Sequence, residues 1–330
     1  MKSIQRFIRC FLHHGPRPHN SWKGKGLCLA LAAILSLPLA CGPEAEYNAV
    51  DFSSGPVLAA SGKESPAEAG LRIAVAAMIS PEQTLVHYRE LLDYLGHRTG
   101  RAIRLLQRRT YGEVNDLFPR GEVDLAFLCS GPYALYREQF GFQALAVPVV
   151  AGEPFYRSYL IVPRQSPAAA LEDLRGKVFA FTDPDSNTGH LVPRYWLAVR
   201  GERPEAFFRK TIFTYSHENS ILAVARGLVD GAAVDGIPWE HFTRTRPELT
   251  SEGRVILRSE PFGSPPLVAS RELPEPLRKR LQEIVLSMHA DPEGARILHA
   301  IGIERFVPPQ ETWYDPIRRM HAALNPGGSP

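Results

Sequence analysis

Hydroxyl, imidazole and carboxylate side chains are concentrated in Thr182-Asp183-Pro184-Asp185-Ser186-Asn187-Thr188-Gly189-His190, directly after the apolar run Val178–Phe181. Where a strand runs into a helix in this way, hydroxyls and free backbone N–H groups converge on one point and attract an anion. Ser186 and Thr188 offer hydroxyl donors, Asn187 adds an amide, and Gly189 admits close approach by the backbone. His190 falls in the first helical turn, as a ligand-facing group or as a support for one. The same stretch also suits an Asx or Ser/Thr turn that only caps the helix.

Four more strand-to-helix junctions end in residues of this kind. Ser80 precedes Pro81 and Gln83, the pattern of an N-cap with a capping-box partner, which also leaves helix N–H groups free for an anion. Ser130 and Tyr133 follow the run Leu125–Leu128, with Tyr133 either a phenolic donor or a packing ring. Ser216 and His217 precede the apolar helix start Ile221-Leu222-Ala223, where His217 reaches toward a bound oxyanion. Asp235 closes the strand Ala232–Asp235. A carboxylate cannot attract a fully deprotonated anion, but it pairs with a protonated oxyanion or an amine and so discriminates against sulfate-like species. Cys129 reads as a small buried apolar residue and not as a nucleophile.

These junctions need a scaffold that alternates strand and helix. Strand-like runs occur at Leu71–Ala76, Ala102–Leu106, Leu125–Leu128, Ala144–Val150, Tyr159–Val162, Val178–Phe181, Thr211–Thr214, Ala232–Asp235 and Pro266–Ala269. Helical patterns occur at Pro81–Leu95, Tyr111–Phe118, Gly189–Val199, Ser220–Gly227, Glu275–Met288 and Asp291–Leu298. This is an α/β chain with mostly parallel sheets, which place ligands outside the carboxyl ends of their strands.

The N-terminus reads as an export signal. Six basic and no acidic residues precede the apolar run from Gly26 to Leu39, which ends Leu37-Pro38-Leu39-Ala40-Cys41 and is too short for an ordinary spanning helix. Cys41 resembles the lipid-attachment residue of bacterial lipoproteins. Beyond it remain 32 Lys/Arg and all 35 Asp/Glu, so the mature chain has a net charge of −3 and the basic pI belongs to the precursor. Nucleic acid is therefore not an expected partner. Cys129 is the single cysteine after Cys41, which excludes an intramolecular disulfide or a cysteine-based metal site in that part. Residues 42–69 read as a flexible tether, and the remaining ~260 residues suit two lobes.

Three segments in order resemble one family: Gly121-Glu122-Val123-Asp124-Leu125-Ala126, the Asp183–His190 motif, and Ser216-His217-Glu218-Asn219-Ser220 followed by Gly227–Asp235. The chain resembles, from about Leu71 to Pro316, the substrate-binding proteins of ABC importers for phosphonate, phosphite and phosphate. The resemblance implies a two-lobe type II periplasmic binding fold. Lobe one would comprise residues 70–158 and 266–316, lobe two residues 164–262, with hinge strands at 159–163 and 263–265 and a flexible tail over 317–330. It further implies that Ser186, Asn187, Thr188 and Gly189 hold a phosphorus oxyanion together with His217 and Asp235, and that Tyr159, beside Tyr156 and Ser158, faces the cleft. The family commonly places a tyrosine after the first strand, where this chain has Ala77-Met78-Ile79-Ser80, so a small ligand such as phosphite or phosphate fits as well. The implied protein is a monomer without cofactor, attached to the membrane only through its lipid, on the periplasmic or extracellular side. Cleft closure would deliver cargo to a membrane permease whose ATPase is a separate polypeptide. The alternatives are a sensory lipoprotein that signals to a membrane receptor and an anion-processing enzyme. The second is disfavoured because no HExxH or GxSxG pattern occurs in the sequence, and the absence of a Walker phosphate loop places ATP hydrolysis on the separate polypeptide.

Overall fold

The computed structural model describes residues 70–76, 78 and 81–326, so the export signal, Cys41, the tether and Ser80 lie outside the described residues. The chain begins with β1 (Leu71–Val75), α1 (Pro81–Thr99), β2 (Ile103–Gln107), α2 (Tyr111–Asn115), β3 (Leu125–Phe127), α3 (Ser130–Phe140) and β4 (Phe142–Val149). It crosses over through β5 (Phe155–Tyr156) and continues with β6 (Ser158–Pro163), β7 (Val178–Phe181), α4 (Val192–Ala198), β8 (Lys210–Phe213), α5 (His217–Ala225), β9 (Gly231–Asp235), α6 (Gly236–Thr245) and β10 (Gly253–Arg258). It returns through β11 (Phe262–Gly263) to β12 (Leu267–Ser270), α7 (Glu275–Ser287), α8 (Pro292–Ala300), β13 (Arg305–Val307) and α9 (Asp315–Leu324).

Two sheets result, ordered β13-β4-β12-β3-β1-β2 and β10-β6-β9-β7-β8. Both are mixed, which corrects the expectation of mostly parallel sheets. β1 pairs in parallel with β2 and β3, and β7 with β8 and β9, but β12 runs antiparallel to β3 and β4, and β6 antiparallel to β9 and β10. The reason is topological. β12 is the strand by which the chain re-enters the first lobe, and β6 opens the second, so neither is fed by a β-α-β crossover from its neighbour.

The alternation of side chains along the central strands builds a core on each face of a sheet. On β6, Leu160 and Val162 join Phe179, Leu197 and Phe207 on one side, while Ile161 joins Ile221, Val224 and Phe242 on the other. In the first lobe Leu91 and Leu95 of α1 pack with Leu281 and Ile284 of α7 against Ile73 and Leu125.

The crossover lies earlier than expected. Ser158–Pro163 is a full member of the second sheet, and the ribbon joining the lobes is β5 with β11, paired Phe262 to Tyr156 and Gly263 to Phe155. The expected tail at 317–330 is also corrected over 317–324, while 327–330 lie outside the described residues. Ile317 and Met320 are buried on α9, which packs against both α3 and α4 and so touches both lobes. The spacing of Ile317, Met320 and Leu324 (i, i+3, i+7) carried that signal in the sequence.

Candidate oxyanion-binding site

The motif after β7 folds as a cap followed by a π-turn. The Ser186 hydroxyl accepts from Gly189 N at 3.0 Å, Asn187–Leu191 forms the π-turn, and α4 follows with Pro193 in its first turn. Gly189 is required by packing. A Cβ there would stand 2.4 Å from the Thr182 Cβ and 2.5 Å from its hydroxyl. Gly189→Ala should therefore lower unfolding stability by about 1–3 kcal/mol, read from chemical denaturation with an unchanged slope.

The motif divides into groups already engaged and two that are open, the Thr188 hydroxyl and the Asn187 side-chain carbonyl oxygen, both buried without a partner. Ser186 is used by its cap, and the Asn187 amide donates to the Tyr156 hydroxyl at 3.1 Å. The Thr188 carbonyl accepts from the Ser158 hydroxyl at 2.7 Å, but the Thr188 hydroxyl is fully buried and has no hydrogen-bond partner. A buried, unpaired hydroxyl costs free energy that a ligand oxygen would offset. His190 turns away from this point. Its Nδ1 lies 2.6 Å from the Pro184 carbonyl, its ring meets Phe181 and Phe213 edge-on, and burial lowers its pKa to about 4. It is a neutral packing residue on the far side of the motif.

His217 and Asp235, 18 positions apart, are brought together by the ends of β8 and β9. Ser216 caps α5 by accepting from Asn219 N at 3.1 Å, and the next residue, His217, is 1 % exposed. His217 Nδ1 accepts from the backbone N–H of Asp235 at 3.1 Å and also faces the Thr182 hydroxyl at 3.2 Å. An Nδ1 that accepts an amide proton carries none itself, so the hydrogen of the neutral ring sits on Nε2. Burial lowers the pKa of His217 to about 3, and Nε2 points at the Tyr111 hydroxyl 3.4 Å away. Thr182 is locked in place by Ser220, which also contacts Thr214 at 2.7 Å. The Asp235 carboxylate caps α6 by accepting from Ile237 N at 2.7 Å, and burial raises its pKa to about 7.

The lobes meet around this group. The Asp183 carboxylate accepts from Tyr111 N at 3.1 Å, the Asn115 amide donates to Asp185 at 3.3 Å, and His217 N donates to the Met78 carbonyl at 3.0 Å. Gly131, at the start of α3, abuts the second lobe so closely that a Cβ would lie 2.8 Å from the Asp185 carbonyl oxygen.

Of the remaining expected residues, Ser130 and Tyr133 are engaged elsewhere, while Tyr159 lines a cavity shared with Asp235. The Ser130 hydroxyl donates to the Gly263 carbonyl at 2.7 Å and ties α3 to the crossover ribbon. Tyr133 packs edge-on against Tyr314 and donates to Glu311, so it belongs to the core of lobe one. Tyr159 donates to Glu240 at 3.1 Å under the guanidinium of Arg258. Cys129 is buried, and burial pushes its thiol up to about 12. Three residues absent from the expected set join the site: Tyr111, Thr182 and Tyr88. Tyr88 stacks edge-on on Phe127 at 5.0 Å, and burial with the nearby Asp235 charge raises its pKa to about 12. Thr182 was legible as the first residue of the motif, whereas Tyr111 and Tyr88 sit in helices with no local signature.

The candidate set thus comprises neutral donors, the Thr188 hydroxyl, His217 Nε2 and the Tyr111 hydroxyl, together with the Asp235 carboxyl, which titrates near neutrality; Ser158, which holds the Thr188 carbonyl, is paired across the sheet with Asp235. Among the described residues, no lysine or arginine hydrogen-bonds to this set. Such an arrangement suits an oxyanion that keeps or shares a proton.

Residues 73–314 match the family model described as ABC transporter, phosphonate, periplasmic substrate-binding protein. The phosphonates-binding periplasmic protein of Escherichia coli K12 is 30% identical over 183 residues, covering 54% of each chain. The phosphate-import protein PhnD of Mycolicibacterium smegmatis is 33% identical over 162 residues, 45% of this chain and 50% of its own. The chain thus spans about half the length of the curated relatives it matches. A solved structure of a binding-protein component of an ABC phosphonate transporter from Pseudomonas aeruginosa superimposes with a TM-score of 0.73 at 24% identity, over 79% of this chain and 91% of that one, and shares the two-lobe fold. With the family model covering both lobes and every strand end that builds the candidate site, the chain belongs to the periplasmic substrate-binding proteins of phosphonate ABC transporters.

Proposed function

We propose that this protein captures a phosphorus oxyanion on the extracytoplasmic side, tethered there through a lipid on Cys41, and delivers it to the permease of an ABC importer. The observation that carries the reading is the fully buried Thr188 hydroxyl with no partner, placed in a motif next to the His217–Asp235 pair. One ligand oxygen would take the Thr188 hydroxyl and another the His217 Nε2–H. The Asp235 carboxyl would share a proton with the ligand, which favours phosphonate, phosphite or phosphate over sulfate. The chemistry is binding without covalent change, since these groups act as donors and acceptors and not as an aligned nucleophile and base. The names of the relatives support the same cargo class, phosphonate for one and phosphate for another.

Closure is the step that makes capture useful to a permease. Donors from both lobes contribute, Tyr111 from one and Thr188 and His217 from the other, so the ligand binds the closed form more tightly than the open form and shifts the population toward it.

Isothermal titration with methylphosphonate, phosphate and sulfate tests the reading. Methylphosphonate or phosphate should bind and sulfate should not. Thr188→Val and His217→Ala should each weaken binding by about 10- to 150-fold, the effect of removing a hydrogen bond to a charged group. Equal affinity for sulfate, or full affinity in both variants, would remove the site from consideration.

A further inference from the structure

A cavity of about 430 Å³ opens beside Asp235, between the end of β1 and the start of α6. At ~30 Å³ for each water-sized group, it holds on the order of 14 of them, far more than the single carbon of methylphosphonate needs. Its walls are apolar and come from both lobes: Tyr88, Phe127, Ile301 and Ile303 on one side, Tyr159 and Ile237 on the other. The edge-on pair of Tyr88 and Phe127 leaves aromatic surface facing the space. Ala76 and Met78 also border it, and Tyr88 enters from about two turns into α1. The outer rim is polar and of mixed charge, with Arg157, Glu153, Glu240 and Arg244.

Asp235 belongs to both regions. It hydrogen-bonds His217 through its backbone and lines the cavity, so an oxyanion seated at Thr188, His217 and Asp235 has this cavity as the space next to it. Resting on the oxyanion reading above, we propose that the cargo is a phosphorus oxyanion with a bulky aromatic or branched apolar substituent, and that this substituent fills the cavity. A substituent gripped by walls from both lobes adds binding energy that exists only when the lobes are together, and so promotes closure as well as affinity. The shared chemistry is met by a carbon–phosphorus bond and by a phosphate monoester alike.

Isothermal titration of the full chain with phenylphosphonate, phenyl phosphate, methylphosphonate and phosphate tests this. At least one phenyl ligand should bind about tenfold or more tightly than methylphosphonate, and which of the two wins decides between phosphonate and ester cargo. Ile301→Trp, which adds bulk to the cavity wall contributed by lobe one, should erase that gain and leave the methylphosphonate affinity within about twofold. If Ile301→Trp also loses methylphosphonate, Tyr159→Ala replaces it as the probe, and it should cut the phenyl preference at least threefold or so. Tighter binding of methylphosphonate or phosphate than of both phenyl ligands overturns the substituent site and leaves the oxyanion reading standing. A phenyl preference untouched by both variants also overturns it. No binding of any of the four ligands overturns the oxyanion reading and this inference together.

Discussion

Replacing Gly131 with valine is expected to weaken methylphosphonate binding by about one to two orders of magnitude while both lobes stay folded. A Cβ at this position would stand 2.8 Å from the Asp185 carbonyl oxygen and 3.1 Å from the Asn187 nitrogen, and both are backbone atoms of the opposite lobe. Backbone held by a π-turn and a capped motif cannot give way as a flexible side chain would, so the lobes must part. Parting also breaks the Tyr111–Asp183 and Asn115–Asp185 hydrogen bonds and moves Tyr111 away from His217. Overpacking of this kind costs about 1–3 kcal/mol, and apparent affinity falls with the fraction of molecules able to close. Titration calorimetry reads the affinity, and small-angle scattering should show that saturating ligand no longer compacts the variant as it does the parent. Wild-type affinity with normal compaction in Gly131→Val would mean that this contact does not govern closure.

Binding is expected to weaken about tenfold per pH unit above pH 7, and Asp235→Asn should abolish that dependence. Burial raises the Asp235 carboxyl to about 7, because its charged form would be desolvated at the end of β9. The sign follows from the proton count. Below its pKa the carboxyl is neutral and donates to a ligand oxygen. Above it the group is anionic and repels the oxyanion, so the complex must take up a proton that becomes scarcer with each unit. His217 contributes nothing to this slope, since its pKa of about 3 keeps it neutral throughout. The asparagine amide supplies a donor at every pH, so the variant should bind with a flat profile between pH 7 and 9, where the parent loses about a hundredfold. Titrations with phosphite, across buffers of matched ionic strength, measure both slopes. A parent profile that is flat over the same range would show that Asp235 does not share the ligand proton.

The sequence by itself determined the elements and the junctions. Val178–Phe181 is a strand with the bounds its apolar run implied, and the polar residues after β7, β8 and β9 end strands as read. Cap chemistry is local, so Ser186 and Ser216 were recognisable as helix starts from a few residues each. The roles within the motif were not local. Nothing in Ser186-Asn187-Thr188-Gly189-His190 distinguishes a hydroxyl spent on its own cap from one left unpaired, or a histidine in the cleft from one packed on Phe181. Those outcomes depend on which neighbours fill the space around each side chain, and the neighbours come from other segments: Ser158 to the Thr188 carbonyl, Phe213 against His190, Tyr111 against His217. Tyr133 shows the converse, a residue at a plausible junction that the packing of Tyr314 and Glu311 draws into the core of lobe one. Strand direction at the re-entries, the place of the crossover ribbon, the contact of the lobes at Gly131 and the cavity beside Asp235 were likewise decided by tertiary structure. Each is a relation between chain segments far apart in sequence, and hydrophobic periodicity, which reports only which face of an element is buried, holds no information about what it is buried against.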